Sequence, residues 1–449
     1  GKGSNWQSSM EAAIRACNFS IAWFFLKNTK SWKEKSWQKT FLTSIVEHGK
    51  FILRNLEYGP GFNTNHLIGG LTGLLFLGVL FPQFREARKW KITAIQGLEN
   101  EIKKQVYEDG VDTEASIPYH RLVCELFGTS ALICQENEIT FSSDFIFRLE
   151  KMFEFVFYYT KPNGLAPQIG DSDDSRLFIF EDFYSWERRD HKHLFWLAKE
   201  LFPLNNKFVQ TDTLKQSIGF NYGKIYIMRK ENFYCITDCG DIGQNGNGGH
   251  AHNDELSFEL NIGGEDFIVD PGTFVYTSDP VARNNFRGTR AHNTVMIDNK
   301  EINRFKNNTV FSMHCDTEIE INKWDSNENE DVLDAQYTGH RRVFDFDKKE
   351  MVLAITDRFD SASPKGLALE WNFHFDVGVK LQKNGEKIFA EKNGIKIEMH
   401  LPQKLAQFAF IHDDEISPRY GIKEKAQTLT IKQPQEKSGE SFTFLIRPV

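Results

Sequence analysis

The spacing of apolar positions changes period once along the chain. Through residue 203 they recur every three to four residues, the mark of amphipathic helices. Ser8-Ser9-Met10-Glu11 has capping-box spacing and opens a helical stretch that runs through Leu26. The same reading predicts helices at about 32–56, 64–81, 83–108, 116–135, 140–160 and 190–202, joined by short connections. Successive antiparallel helix pairs of this kind close into layers of α/α hairpins, without any strict sequence repeat. The most apolar run, Leu67 to Phe81, is broken by four glycines and Thr72 and stops at Pro82, which predicts a buried helix and no membrane span.

After Phe202-Pro203, the stretch Leu204-Asn205-Asn206-Lys207 reads as a linker and the period falls to two. Short alternating runs follow at Lys224–Arg229, Leu256–Ile262, Asp266–Val269, Thr294–Ile297 and Met351–Ile355. Gly263-Gly264, Asp298-Asn299 and Lys392-Asn393-Gly394 supply turn signals. The expected organisation is a helical domain over 1–203 and an antiparallel β-sandwich over 208–449, with a substrate cleft at the boundary.

Composition narrows the function. At 449 residues, 40% hydrophobic and 26% charged, the chain can build two sizeable cores. Its formal net charge of −8 argues against a nucleic-acid or anionic-membrane partner held by a global basic field; a polyanionic substrate would need a local basic cleft. Forty Phe, nine Trp and twelve Tyr offer ring faces for sugar stacking, although most are expected in cores. The six cysteines form no readable disulfide framework. Gly1-Lys2-Gly3-Ser4, without Met or signal peptide, reads as a cut end or a cloning remnant, which leaves the native start and any export signal open.

Candidate chemistry gathers in three segments: Gly249-His250-Ala251-His252-Asn253-Asp254, Asp270-Pro271-Gly272 and Arg290-Ala291-His292-Asn293-Thr294. Taken one at a time, histidines two apart in a strand are usually a polar stripe, and Asp-Pro-Gly is usually a turn. Together, His252, Asp270 and His292, spaced 18 and 22 residues apart, suit a zinc-type ion held by neighbouring strands or loops, in a catalytic or a structural role. In a strand His250 would share a face with His252 and point at substrate. In the helical half, Asn65-His66 follows the loop Gly59–Thr64, and Tyr119-His120 lies 54 residues later at a second loop-to-helix boundary. Asn at a helix start is most often a cap. An amide and a phenol at adjacent helix mouths, facing histidines, also suit proton abstraction beside a carboxylate. Removing the C-5 proton of a uronic acid is unfavourable while its carboxylate is charged, so a neutralising donor such as Asn65 is required. Tyr119 is the better acid, and His250 can serve as acid or base.

These motifs resemble the heparinase II/III-like polysaccharide lyases. The resemblance runs from Asn5–Glu11 and Asn63–Leu67 to Gly249–His252, Asp270–Thr273 and Phe286–Thr294. It implies an incomplete α/α toroid followed by an antiparallel β-sandwich, and β-elimination on a uronic-acid polysaccharide that is heparan sulfate-like, alginate or a related exopolysaccharide. It assigns Asn65 as the carboxylate neutraliser, Tyr119 as the acid or acid/base and His250 as the partner base, with His252, Asp270 and His292 binding a bracing zinc-like ion. His66, Glu114, Arg287 and Asn293 fall in matching motifs as candidate substrate contacts. Lys104, Arg121, Arg176, Arg283, Arg287 and Arg290 are candidate local cations. Gly170–Arg176 is read as a hydrogen-bonded loop in preference to a calcium loop. The chain has less sequence before its first helix than complete members, which implies either a toroid short of a helix or two or a shorter branch of the family. Family habit points to a bacterial periplasmic or secreted enzyme. A metal-dependent hydrolase and a non-catalytic carbohydrate-binding protein of the same fold are the alternatives.

Overall fold

The computed structural model describes residues 3–59, 61–209, 216–307, 309–360, 366–436 and 440–449. Seven long helices form the first half: α1 (Ser9–Leu26), α2 (Lys35–Arg54), α3 (Asn65–Leu80), α4 (Ala87–Gln105), α5 (Ile117–Gln135), α6 (Ser143–Tyr159) and α7 (Lys192–Leu201). Ser8 caps α1 by accepting from the Met10 and Glu11 amides, and the Glu57 carboxylate accepts from the Ser9 amide and the Ser8 hydroxyl. Thr64, Ser116 and Ser142 cap α3, α5 and α6 in the same way. Helix α3 is apolar all round and sits at the centre, against α1, α2, α4 and α5. Its glycines are there for close approach. A Cβ on Gly73 would lie 2.5 Å from the Ala13 Cβ, and one on Gly78 2.7 Å from the Lys91 backbone nitrogen.

The expected linker is different from its sequence reading. Pro203-Leu204 is a turn, a short helix α8 (Asn206–Val209) follows, and Asn205 and Lys207 bond to Glu150 and Glu154 of α6. Five strands then make an antiparallel meander: β1 (Ile218–Phe220), β2 (Ile225–Lys230), β3 (Phe233–Asp238), β4 (Ser257–Ile262) and β5 (Glu265–Ile268). This sheet is buried on both faces. Ile225, Ile227, Tyr234 and Ile236 join the helical core, while Tyr226, Met228, Phe233 and Cys235 join the sandwich core. A one-residue slip would exchange the two sets, so register here fixes how the halves meet.

A helix the sequence reading omitted, α9 (Pro280–Arg287), follows, capped by Asp279 with Pro280 in its first turn. The remaining strands are β6 (Val295–Ile297), β7 (Glu320–Ser326), β8 (Glu330–Tyr337), β9 (His340–Asp347), β10 (Val352–Phe359), β11 (Leu367–His374), β12 (Lys380–Asn384), β13 (Lys387–Lys392), β14 (Ile395–His400), β15 (Ala409–Arg419), β16 (Ile422–Glu436) and β17 (Ser441–Pro448). They form an eight-stranded sheet, β12-β13-β14-β17-β10-β9-β8-β7, and a four-stranded sheet, β15-β16-β11-β6, that close one core with the meander. The architecture is thus a helical toroid segment followed by antiparallel sheets. Residues 249–256, expected as strand, form an irregular loop between β3 and β4.

Polar contacts lock the halves together. The Lys161 ammonium, after α6, is 2.9 Å from Asp266 and 3.2 Å from Glu259 and is buried with both. The other Glu259 oxygen accepts from the Gln168 amide at 2.7 Å. Lys161→Met should therefore leave Glu259 without a cation and Asp266 with only the more distant Arg189, and cost about 3–5 kcal/mol in denaturant unfolding. A midpoint equal to the parent's would show that this clamp holds nothing.

Candidate active site

Three separate backbone turns deliver the candidate residues to one place. Thr64, and not Asn65, caps α3 through the His66 amide, which leaves Asn65 as the first helical residue. Its backbone N–H donates to Glu114 Oε1 at 2.7 Å, but both side-chain amide atoms are buried without a partner. The Ser116 hydroxyl caps α5, accepting from the Tyr119 amide and donating to the Asp171 carbonyl. The loop after β3 carries His250, whose ring stacks on Tyr119 with centroids 3.6 Å apart. Glu114 bridges Asn65 and His250: beside the bond from the Asn65 N–H, its Oε2 accepts from Gln244 Nε2 at 2.6 Å and lies 3.6 Å from His250 Nε2. Gly249 leaves room for this arrangement, since a Cβ there would sit 2.2 Å from Gln244 Oε1. Asn65, Glu114, Tyr119 and His250 are accordingly one connected group.

The charge at its centre is Asp171. The fully buried carboxylate accepts from both Arg283 Nη atoms, from His250 Nδ1 at 3.0 Å and from His252 Nε2 at 2.9 Å. Burial alone would raise its pKa, yet Arg283 and the two imidazoles hold it well below the usual carboxylate range. Burial pulls His250 down, but the Asp171 bond and the charges of Glu114 and Asp173 outweigh it and leave its pKa raised. Tyr119 is pushed well above 10 by burial and by Asp173 and Asp171, so its phenol keeps its proton at neutral pH. The phenol donates to Asp173 at 2.8 Å.

Behind this group, His252, Asp270 and His292 offer ligand atoms all within 4.8 Å of one another. His252 gives Nε2 to Asp171 and His292 gives Nδ1 to Asp270 at 2.7 Å, which leaves His252 Nδ1 and His292 Nε2 as buried atoms without a partner. Burial takes His252 down to about 4, so it is a neutral imidazole. Asp238 is raised to about 6, and Asp254 well above its usual range, by burial and by neighbouring carboxylates. Two ring nitrogens without partners beside the Asp270 carboxylate are a set of groups that could hold a divalent cation, and the bond to Asp171 occupies the other nitrogen of His252. All three ligand residues are at most 3% exposed.

Other candidates are bonded to partners outside the group. His66 bonds to Glu57 at 2.7 Å beside the start of α1. Arg287 is fully buried, donating to Asn284 and the Val310 carbonyl. The Asn293 amide is used up inside the sandwich: it donates to the Phe258 and Val269 carbonyls and accepts from the His374 N–H. Most of the candidate cations are spent on internal partners, Arg121 on backbone carbonyls, Arg176 on Glu125, Arg283 on Asp171 and Arg290 on Glu370. Asp171, Asp173, Gln244 and Tyr276 were not singled out from the sequence, although the Gly170–Arg176 loop that carries two of them was. Within that loop the Asp173 carboxylate accepts from the Tyr119 phenol and from the Ser175 amide.

A cleft of about 680 Å³ opens beside the group, lined by Tyr58, Phe62, Asn63, Lys104, Tyr107 and Gln244 among others. Lys104, 3.2 Å from Glu101, is the one cation among its described lining residues.

The sequence matches Heparinase II/III N-terminus over residues 1–189 and Heparinase II/III-like, C-terminal over residues 212–445. It is 28% identical over 422 residues to a heparin-sulfate lyase of Pedobacter heparinus, an alignment that takes in 86% of this chain and 58% of that protein. A heparin-sulfate lyase of Bacteroides thetaiotaomicron is 28% identical over 356 residues, 73% of this chain and 48% of that protein. The chain thus spans about half the length of these relatives. In three dimensions it is similar to heparinase III, with a TM-score of 0.79 at 19% identity over 98% of this chain and 69% of that one. A heparan sulfate lyase from Pedobacter heparinus gives 0.72 at 22% identity, over 98% and 68%. Since the two family matches between them take in both the helical half and the sheets, the chain belongs to the heparinase II/III family.

Proposed function

We propose that this protein is a polysaccharide lyase that cleaves a uronic-acid-containing polymer by β-elimination, leaving a 4,5-unsaturated uronate at the new non-reducing end. The observation that carries this reading is the Asn65 amide, buried without a partner in the same group as a phenol and an imidazole. An unsatisfied buried amide costs free energy, and a uronate carboxylate is a ligand that would recover it. Asn65 Nδ2 then donates to the substrate carboxylate and stabilises the enolate-like charge. His250 Nδ1–H is held by Asp171, so Nε2 takes the C-5 proton, and the Asp171 charge stabilises the imidazolium that forms. Tyr119, kept protonated by its surroundings, gives its proton to the glycosidic oxygen leaving C-4. Asn65 is fully buried in the resting arrangement, so substrate entry requires the cleft wall around Asn63 and Gln244 to open.

His252, Asp270 and His292 would hold a zinc-like ion that braces the loop carrying His250; their burial favours bracing over activation of water, and with it a lyase over a hydrolase. The relatives named for heparin-sulfate suggest a glycosaminoglycan substrate. The aromatic and amide lining of the cleft, with Lys104 the one cation among its described residues, favours a lightly sulfated or unsulfated uronate chain over heparin. Both of these relatives are bacterial, and a periplasmic or secreted location suits a polymer substrate. No described helix is long and apolar enough to cross a membrane.

Asn65→Ala removes no hydrogen bond made by the side chain, so the melting temperature should match or exceed the parent's while elimination slows by about 10²–10³-fold. A destabilised but active variant would contradict the neutralising role. Tyr119→Phe should abolish the rise in ultraviolet absorbance that reports the new double bond, with folding intact; near-normal turnover would rule out the acid role. His252→Ala should lower bound metal and thermal stability together, and a chelator should bring the parent towards the same stability. Unchanged melting in both would remove the bracing ion from the account.

A further inference from the structure

No step above gives Asp173 a role of its own beyond its charge, yet its carboxylate sits on the proposed acid. Tyr119 Oη donates to Asp173 Oδ2 at 2.8 Å. Tyr276 Oη, from the segment before α9, lies 3.5 Å from the same oxygen and 3.4 Å from the Tyr119 oxygen. Asp173 Oδ1 accepts from the Ser175 amide at 2.8 Å, and its main-chain carbonyl accepts from Arg121, so the side chain is anchored with one oxygen turned to the phenols.

The neighbouring carboxylates of the same loop are treated differently. Asp171 has Arg283 and Asp174 has Arg188 as ion-pair partners. Among the described residues no lysine, arginine or histidine forms a salt bridge with Asp173; two hydroxyls meet it instead. A carboxylate kept for loop stability alone gains most from a cation, and Arg121 reaches the Asp173 main chain without pairing with its carboxylate.

We propose that Asp173 is a positioning residue for the acid of this reaction: it holds the Tyr119 hydroxyl, hydrogen in place, and passes to Tyr276 when Tyr119 turns towards the leaving oxygen. This rests on the lyase reading. The balance is complete without a co-reactant. The C-5–H electron pair becomes the C-4=C-5 double bond and its proton goes to His250 Nε2. The C-4–O bond breaks with its pair, and that oxygen takes the Tyr119 proton. The phenolate left behind is disfavoured by burial and by the Asp173 and Asp171 charges, so it is promptly reprotonated, and His250 releases the proton that balances it. Tyr276 Oη is within reach to donate to Asp173 while Tyr119 is engaged.

The test compares two leaving groups on the whole protein. One substrate is a uronate oligosaccharide, whose sugar alkoxide must be protonated as it leaves; the other is a uronate carrying nitrophenol at C-4, which leaves as a stable anion. In Asp173→Asn, which can keep the Ser175 contact and the fold, and in Asp173→Ala, sugar elimination should fall by about 10²-fold or more, and by at least about tenfold more than nitrophenolate release. Tyr276→Phe should show a smaller loss with the same selectivity. Equal losses on both substrates would mean that Asp173 merely supports the fold, and unchanged sugar elimination would mean that it does nothing for the acid; either result overturns the proposal alone. A parent protein that eliminates neither leaving group overturns the lyase reading, and this proposal with it.

Discussion

One buried carboxylate organises this protein. Asp171 has no exposed surface and binds Arg283, His250 and His252 at once, so a loop of the helical half is tied to the loop after β3 and to α9. An isolated charge at that depth would be very costly, and removing any one partner would leave it undercompensated. The geometry that serves the His250 imidazole on one side and the candidate metal ligands on the other is therefore set by a single electrostatic requirement. The Lys161, Glu259, Asp266 cluster repeats the device further along the same interface.

The toroid helices and the doubly buried meander follow from that interface. Strands β2 and β3 give alternate residues to two cores, so the halves cannot slide without exposing one set. Asn65, held through its backbone by Glu114, and His250, held by Asp171, are thereby fixed relative to one another although 185 positions separate them in the chain. The unsatisfied Asn65 amide is the local price of that arrangement, and polar groups left without partners in an otherwise well-bonded interior are commonly functional.

Much of this was legible in the sequence where periodicity is strong. The helix starts fell within a few residues of the predicted ones because Ser8, Thr64, Ser116 and Ser142 supply caps, and the glycine-rich run Leu67–Phe81 lies in or beside a buried helix because its glycines meet neighbouring helices. Besides the linker, two local readings went astray for identifiable reasons. The segment Gly249–His252 alternates like a strand, but Gln244 occupies the space above Gly249 and the chain is drawn into a loop by Asp171. Helix α9 was overlooked although Asp279-Pro280 is a start signal, because its eight residues carry little apolar pattern. At the candidate site, residues with unusual chemistry could be picked out; those whose importance is purely relational could not. Asp171 and Asp173 look alike in the sequence, and only their neighbours, two imidazoles and an arginine for one and two phenols for the other, tell them apart. Arg287 and Asn293 carry the reverse lesson, since their motif neighbours pointed to the cleft and their partners lie in the interior.

The central claim is that C–O cleavage proceeds through loss of a proton next to a carboxylate that Asn65 neutralises. The most direct measurement is ultraviolet absorbance, followed alongside new reducing ends, on a uronate polymer and on the same polymer with its carboxyl groups reduced to alcohols. The account predicts equal growth of absorbance and chain ends on the first and no reaction on the second. Cleavage of the reduced polymer, or chain ends that accumulate without absorbance, would contradict it.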